Sequence, residues 1–251
     1  MTSARAPGSV LVTDADGTLW SGDVAEDLLA LMVAEREVHP EGRAAIADLL
    51  DASSRGAATP SSDPLDALID GLRSGTLDPL TTCRATALAL AGSTEEEVRE
   101  RSRRAQVGLS ARLTPEMRGV LAWATHEGVP VWIVSASPRL VVEEALGAAG
   151  LHAAGVLGIE LTTSRGRLTA PLLEPITLGA GKVTAVRAAL PGADVLAAFG
   201  DAAPDVSLLL TGRIGCAVRP SPALVARCAL EPTCALLVHR GTGPAPPRSP
   251  P

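Results

Sequence analysis

Two carboxylates, Asp14 and Asp16, stand two residues apart directly after the apolar run Val10-Leu11-Val12, and Gly17, Thr18 and Leu19 follow them. A short apolar, β-branched run reads as a buried strand. Acids at its carboxyl end fall where open α/β sheets bind ligands. Two later apolar runs end in polar groups as well. Val129-Pro130-Val131-Trp132-Ile133-Val134 leads into Ser135-Ala136-Ser137-Pro138, and Asp194-Val195-Leu196-Ala197-Ala198-Phe199 leads into Gly200-Asp201-Ala202-Ala203-Pro204-Asp205. In a parallel sheet these three ends converge on one edge.

Clustered carboxylates repel one another unless a hard cation sits among them, and an all-oxygen donor set of this kind suits Mg²⁺. Such an ion neutralises a phosphoryl group entering an otherwise negative site. One carboxylate is then free to attack phosphorus, splitting one difficult step into two. Charge developing on the phosphoryl oxygens needs donors, which Ser135 and neighbouring backbone N–H groups supply without charge. Lys182 supplies a positive one. It is the only lysine among 22 basic residues, and its compact ammonium differs in kind from the planar fork of arginine.

The elements that must position these groups follow from the hydrophobic pattern. After Trp20 the chain turns to helical spacing that persists, with breaks, to about Leu109, which predicts an inserted helical unit over residues 21–109. Within it, Val24 to Met32, Ala44 to Leu50, Leu65 to Leu72 and Pro79 to Leu90 carry helical spacing, and Asp51 to Pro64, dense in Ser, Gly and Pro, reads as a loop. Ser93-Thr94-Glu95-Glu96 opens a charged helix through Arg104, with hydroxyls to cap it and acids at its positive end. Its cluster of Arg99, Arg101, Arg103 and Arg104 reads as a solvated helix face rather than an anion site.

From Thr114 helix and strand alternate, which favours a parallel sheet. Helices are expected from Thr114 toward His126, from Arg139 to Ala149, and from Gly181 to Leu190. Strands are expected at Gly155 to Leu161, at Arg213 to Val218 and at Cys234 to Val238, with a hairpin turn at Ser164 to Leu168. The fold class is therefore α/β: a Rossmann-like parallel sheet core over residues 1–20 and 110–240 with the helical insert between. Residues 241–251, rich in Gly and Pro, read as a disordered tail.

Composition excludes several partners. With 46% hydrophobic residues in 251, the chain buries a sizeable core, but one Phe, three Trp and no Tyr leave little for stacking single-stranded bases. A net charge of -6 offers no general attraction to nucleic acid or to an anionic membrane. Cys83, Cys216, Cys228 and Cys234 form neither a CxxC pair nor a zinc spacing and read as buried thiols of a reducing, cytoplasmic compartment. His39, His126, His152 and His239 show no metal or triad spacing. Gly179-Ala180-Gly181-Lys182 is not a nucleotide loop, because Ile176 replaces its first Gly and Val183 its Ser/Thr. No G-x-S-x-G elbow surrounds Ser135.

Asp14-x-Asp16-Gly17-Thr18, Ser135, Lys182 and Gly200-Asp201-x-x-Pro204-Asp205 resemble, in order, the four motifs of the haloacid dehalogenase superfamily. The resemblance spans nearly the whole chain. It implies that Asp14 is the nucleophile and Asp16 the general acid and base. Ser135 with Ala136, and Lys182, would hold the phosphoryl group. Mg²⁺ would be bound by Asp14, the backbone carbonyl of Asp16 and Asp201, with Asp205 supporting them. The second acid, Asp16, is what the superfamily's phosphatases have and its dehalogenases lack.

The position of the helical insert resembles a C1-type cap, and the motifs are similar to those of the phosphoserine phosphatase type. By that resemblance Asp23 would meet a substrate amine and Arg84 a substrate carboxylate. Trp20 beside the first motif, and Ser137 where a Gly is usual, depart from that type and suggest a different amine-bearing or apolar phosphomonoester, with Trp20 close enough to touch it. The expectation is thus a Mg²⁺-dependent hydrolase of a small phosphomonoester. The alternatives are phosphoryl transfer to another acceptor, as in mutases of the superfamily, and a phosphoprotein-binding module without turnover.

Overall fold

A computed structural model of the protein describes residues 8–53 and 63–237. Part of the Ser/Gly/Pro-rich segment (54–62), His239 and the tail at 241–251 lie outside the described residues.

The strand that carries the first two acids, β1 (Ser9–Thr13), is buried at every position. It lies at the centre of a six-stranded sheet in which every pairing is parallel. Along the chain follow five helices: α1 (Val24–Ala34), α2 (Pro40–Ser53), α3 (Pro64–Ser74), α4 (Pro79–Leu88) and α5 (Glu95–Ala105). A 3₁₀ turn at Leu109–Arg112 leads into α6 (Pro115–Glu127), β2 (Val131–Pro138), α7 (Arg139–Ala149) and β3 (Gly155–Ile159). A two-stranded antiparallel hairpin, β4 (Leu161–Ser164) and β5 (Arg167–Leu172), precedes α8 (Ala180–Ala189) and β6 (Asp194–Gly200). The chain ends in α9 (Val206–Leu209), β7 (Ile214–Val218), α10 (Pro222–Cys228) and β8 (Cys234–Leu237). Strand order is β3-β2-β1-β6-β7-β8. The order reverses at β1, so the crevice beside its carboxyl end is the natural ligand site.

Alternate residues of a strand face opposite sides, and this builds two apolar layers. Leu11, Ile133 and Phe199 face the layer that contains Leu28 and Leu29 of α1, Met117 of α6 and Val142 of α7. Val10, Val12, Val134 and Ala198 face Val186 of α8, Leu208 and Leu209 of α9, and Leu224 of α10.

The insert helices start where local chemistry dictates. Asp23, Asp63 and Asp78 each cap a helix by accepting backbone N–H groups of the first turn. Pro64 and Pro79 occupy first-turn positions, where a missing N–H costs nothing. Thr94 and Glu97 form a reciprocal capping box on α5.

Three expectations need correction. Helix α2 begins at Pro40 and runs to Ser53, so the loop read from Asp51 starts later. The strand read at Gly155 to Leu161 is two strands, because Leu161 leaves the main sheet to pair with Leu172. Arg103 and Arg104 of α5 are exposed, as a solvated face requires, but Arg99 is half-buried and Arg101 buried. Arg99 bridges Glu143 (2.7 Å) and Glu144 (2.9 Å) of α7, and the buried Arg101 bonds Glu37 (2.8 Å) and Ser93 (3.0 Å). The Arg99 pairs clamp α5 to α7 of the α/β layer, while those of Arg101 brace the insert internally.

Candidate active site

After β1 the chain must turn sharply to bring both acids to the sheet edge. Gly17 makes that turn at φ +80°, and a Cβ there would collide with the Asp201 carboxylate. Only glycine meets both demands. Thr18 then stands between two acids, its hydroxyl 3.1 Å from Asp14 Oδ2 and 3.1 Å from Asp201 Oδ1. The Thr114 hydroxyl pins the loop from below by donating to the Thr18 carbonyl (2.7 Å).

Asp14 is buried, and Lys182 Nζ donates to its Oδ1 at 2.5 Å. Lys182, also buried, donates to Asp205 Oδ1 at 2.6 Å. The lysine reaches this point because Gly181 lets the first turn of α8 pass against the Ile176 carbonyl, where a Cβ would clash. Asp205 has its other oxygen on the backbone N–H groups of Asp201 (3.2 Å) and Ala202 (3.0 Å). Both of its oxygens are thus committed to holding Lys182 and the loop that carries Asp201.

Asp16 points to a different set of donors. Its Oδ1 accepts from Trp20 Nε1 (2.8 Å) and the Val24 N–H (2.9 Å), and its Oδ2 accepts from the Ser137 hydroxyl (2.7 Å). Ser135 Oγ lies 3.4 Å from the same Oδ2 and accepts the Ser137 N–H (3.0 Å). The Thr177 hydroxyl donates to the Ser135 carbonyl at 2.5 Å, tying the loop before α8 to the end of β2.

The electrostatics follow from burial. Burial pushes the Asp14 carboxyl well above its usual range; Lys182 opposes this, and Asp205 and Asp201 add to it. Burial and Asp205 raise Asp201 to about 6. Burial pulls Lys182 down, but Asp14 and Asp205 outweigh it and hold the ammonium above its ordinary value. Burial and the neighbouring Asp16 push Asp23 up to about 8. Burial is the largest cause at each of the three acids, and repulsion from neighbouring acids adds to it.

Carboxylate oxygens of Asp14, Asp201 and Asp205 lie within 4.8 Å of one another, and no other such group of metal-capable side chains is found among the described residues. Three hard oxygen donors at this spacing fit a hard divalent cation. The Asp16 side chain is not part of this group, so its contribution to a metal would come through the backbone, as the resemblance implies.

A cavity of about 430 Å³ opens over these groups. Asp14, Asp16, Ser135, Ala136, Lys182, Asp201 and Asp205 form its floor, and Asp23 and Glu26 of the first insert helix form one wall. The remaining cover, including Leu72, Leu77, Pro79, Thr82, Cys83 and Thr86, comes from α3, α4 and the turn between them.

Two residues expected at the substrate stand elsewhere. Trp20 is wholly buried behind Asp16 and does not line the cavity. Its bulk fills core, and its indole N–H orients an acid. Arg84 lies outside the cavity lining, 3.9 Å from Glu174. Its helix turns Cys83 and Thr86 inward instead. Sequence reasoning passed over Thr18 as a bridge between acids, Ser137 as a partner of Asp16, and Glu26 in the wall. Thr18 and Ser137 are readable as hydroxyls beside motif acids; Glu26 gave no signal.

Among the described residues no helix is long and apolar enough to cross a membrane. All four cysteines are free, with Cys83 and Cys228 buried and Cys216 and Cys234 half-buried.

No curated protein matches the chain. Among solved structures, a protein of unknown function from Bordetella pertussis Tohama I is similar at 18% identity and TM-score 0.69, over 92% of this chain and 98% of that one. A probable phosphoserine phosphatase from Vibrio cholerae is similar at 18% identity and TM-score 0.57, over 92% of this chain and 61% of that one. A substrate-bound phosphoserine phosphatase complex is similar at 16% identity and TM-score 0.54, over 92% and 93%. At these identities the likeness is one of fold. The sequence itself matches the family model of haloacid dehalogenase-like hydrolases over residues 11–210, and the chain belongs to that family.

Proposed function

We propose that this hydrolase is a Mg²⁺-dependent phosphatase that cleaves a small phosphomonoester through an aspartyl-phosphate at Asp14. The observation that carries the reading is the buried Asp14–Lys182–Asp205 triple at the cavity floor, with Asp201 bridged to Asp14 by Thr18. An Asp14 carboxylate oxygen would bond to phosphorus while the ester P–O bond breaks, and the leaving alkoxide would take a proton from Asp16. Water, losing a proton to Asp16, would then attack phosphorus and break the bond to Asp14, releasing inorganic phosphate and restoring the acid.

Ser135, Ala136 and Lys182 line the floor, where they would hold the phosphoryl oxygens. Ser137 suits the proton transfers at Asp16, because a hydroxyl that donates to a carboxylate can rotate to accept from the carboxylic acid. Mg²⁺ would be held by Asp14, Asp201 and the Asp16 backbone carbonyl, with Asp205 as support. When bound, it supplies charge neutralisation for the phosphoryl group.

The insert over residues 21–109 would serve as a cap on a core of residues 1–20 and 110–240, closing over substrate to exclude water. Free thiols throughout support a reducing, cytoplasmic setting. The acidic floor supports a small phosphorylated substrate and argues against nucleic acid as a partner. The test is Asp14→Asn assayed over a panel of phosphomonoesters. Loss of turnover by about a thousandfold or more with the fold intact is expected for a missing nucleophile. Substantial hydrolysis by that variant contradicts the assignment.

A further inference from the structure

At the carboxyl end of β2 the polar groups of Ser135 are divided unequally between the protein and the cavity. Ser135, Ser137 and Thr177 are all buried. The Ser135 carbonyl accepts the Thr177 hydroxyl at 2.5 Å, and the Ser135 hydroxyl oxygen accepts the Ser137 N–H at 3.0 Å. Both acceptors of the residue are thus engaged by the chain itself. What Ser135 still offers is its hydroxyl hydrogen, a donor. Its partner among the described residues is Asp16 Oδ2 at 3.4 Å, a long contact that a phosphoryl oxygen can displace.

The carbonyl contact also orients the next peptide unit. A trans peptide is planar, so its C=O and N–H point in opposite directions. Ser135, Ala136 and Leu178 line the cavity, and Thr177 does not. A carbonyl drawn toward Thr177 is therefore turned out of the cavity, and the Ala136 N–H in the same plane is turned the other way. Without that anchor the peptide would be free to flip and set a carbonyl oxygen against a floor that already holds Asp14, Asp16, Asp201 and Asp205. A phosphoryl oxygen would then meet one more negative dipole in place of a donor.

Thr177 also belongs to the tight turn that delivers Lys182. In that turn the Leu178 N–H donates to the Ile176 carbonyl (2.8 Å), the Gly181 N–H to the Leu178 carbonyl (3.0 Å) and the Lys182 N–H to the Gly179 carbonyl (3.1 Å). One hydroxyl therefore ties the neutral donors at the end of β2 to the loop that supplies the ammonium.

Resting on the phosphatase reading, we infer that Thr177 is a positioning residue of the phosphate site: its hydroxyl holds the 135–136 peptide so that the Ser135 hydroxyl and the Ala136 N–H face the phosphoryl oxygens alongside Lys182. Donors fixed in advance stabilise charge as it develops without reorganising at the moment of reaction. A loosened cradle loses phosphate affinity and rate together. The loss does not depend on the leaving group, because the phosphoryl group is common to every ester. A defect at Asp16 differs, since it falls on alkyl esters that need a proton and spares aryl esters.

The experiment uses the full chain with Mg²⁺. Thr177→Val removes the hydroxyl and keeps the branched shape, and Thr177→Ser keeps the hydroxyl. Thr177→Cys, with a weak S–H donor, takes the place of the valine variant should that one fail to fold. Calorimetry measures binding of inorganic phosphate, independently of turnover, and steady-state kinetics compare a short alkyl phosphate with an aryl phosphate. Thr177→Val is expected to weaken phosphate binding about tenfold and to lower kcat/KM for both esters alike, by about tenfold or more. Thr177→Ser should stay within about threefold of wild type in both measurements.

Wild-type phosphate affinity and turnover in Thr177→Val, with only its Tm lowered, would overturn the inference and leave the phosphatase reading intact. A loss confined to the alkyl ester would overturn it by assigning the defect to Asp16, and so would a serine variant no better than the valine one. Phosphate binding that depends on the Thr177 hydroxyl, in a protein that hydrolyses neither ester, would support the cradle and overturn the phosphatase reading.

Discussion

The floor and the cover of the cavity are built by different logics. Every charged group of the floor has named partners at 2.5 to 3.2 Å: Lys182 with Asp14 and Asp205, Thr18 with Asp14 and Asp201, Asp205 with two backbone N–H groups. The cover supplied by α3 and α4 has apolar side chains, and its wall acids have open oxygens. On the proposed function, the floor is complete without substrate because it would serve the reaction, and the cover is open because it would serve recognition. Changes on the floor should therefore cost rate and stability together, and changes on the cover should move preference.

The largest effect is expected at Lys182. Lys182→Met leaves Asp14 and Asp205 buried and uncompensated, which costs about 3–5 kcal/mol for a broken buried pair. Chemical denaturation should show this loss, and activity should vanish with it. Lys182→Arg should not restore turnover, because a planar fork does not fit where a compact ammonium meets two carboxylates. An active arginine variant would blur the distinction between the two regions. Gly17→Ala comes next. It forces a side chain into a positive-φ turn and against Asp201, and about 1–3 kcal/mol of destabilisation is expected on thermal melting.

A subtler floor effect concerns pH. The raised Asp201 carboxyl, at about 6, binds its proton more tightly folded than unfolded. In chelated protein the folded state therefore holds the extra proton between about pH 4 and about 6, and the contribution of Asp201 to stability falls as pH rises through that window. Asp201→Asn, which is never charged, should gain in Tm over chelated wild type as pH rises. Saturating Mg²⁺ should reverse the order, since the ion binds wild type and stabilises it. A gap that does not change with pH would remove acid repulsion as a feature of this site.

Trp20→Phe removes one of three close donors to Asp16 while keeping most of the core volume. A drop in kcat of about fivefold to tenfold, with KM little changed, is expected for one lost hydrogen bond of roughly 1 kcal/mol. Unchanged kcat together with altered substrate preference would return Trp20 to the cover. The smallest effect belongs to Arg99→Ala, in the clamp between α5 and α7. Partly exposed ion pairs of this kind contribute about 1 kcal/mol or less, and added salt should shrink the difference in Tm.

The same contrast decides what was legible in the sequence. Asp14, Asp16, Ser135, Asp201 and Asp205 could be placed at one edge because strand periodicity is local and a parallel sheet aligns carboxyl ends. Lys182 stood out as the single lysine. Side-chain pairings across long stretches of chain leave no local trace. Nothing near Arg99 announces Glu143 and Glu144, and nothing near Trp20 says that its indole will turn inward to Asp16 rather than outward to a ligand. Arg84 sits on a helix whose start is readable from Asp78 and Pro79, yet the face it occupies is set by packing against β2 and β5. The cover is assembled from such packing.

The central claim is that phosphorus passes through a bond to Asp14. Its most direct test is acid quenching of Asp16→Asn mixed with an aryl phosphate, followed by mass analysis of the Asp14 peptide. An aryl leaving group does not need a proton from residue 16, whereas hydrolysis of the acyl phosphate needs a base there, so the intermediate should accumulate. A phosphate adduct on Asp14, absent when Asp14→Asn is added to the variant, is the predicted result. Release of the aryl alcohol with no adduct on Asp14, or an adduct on another residue, would contradict it.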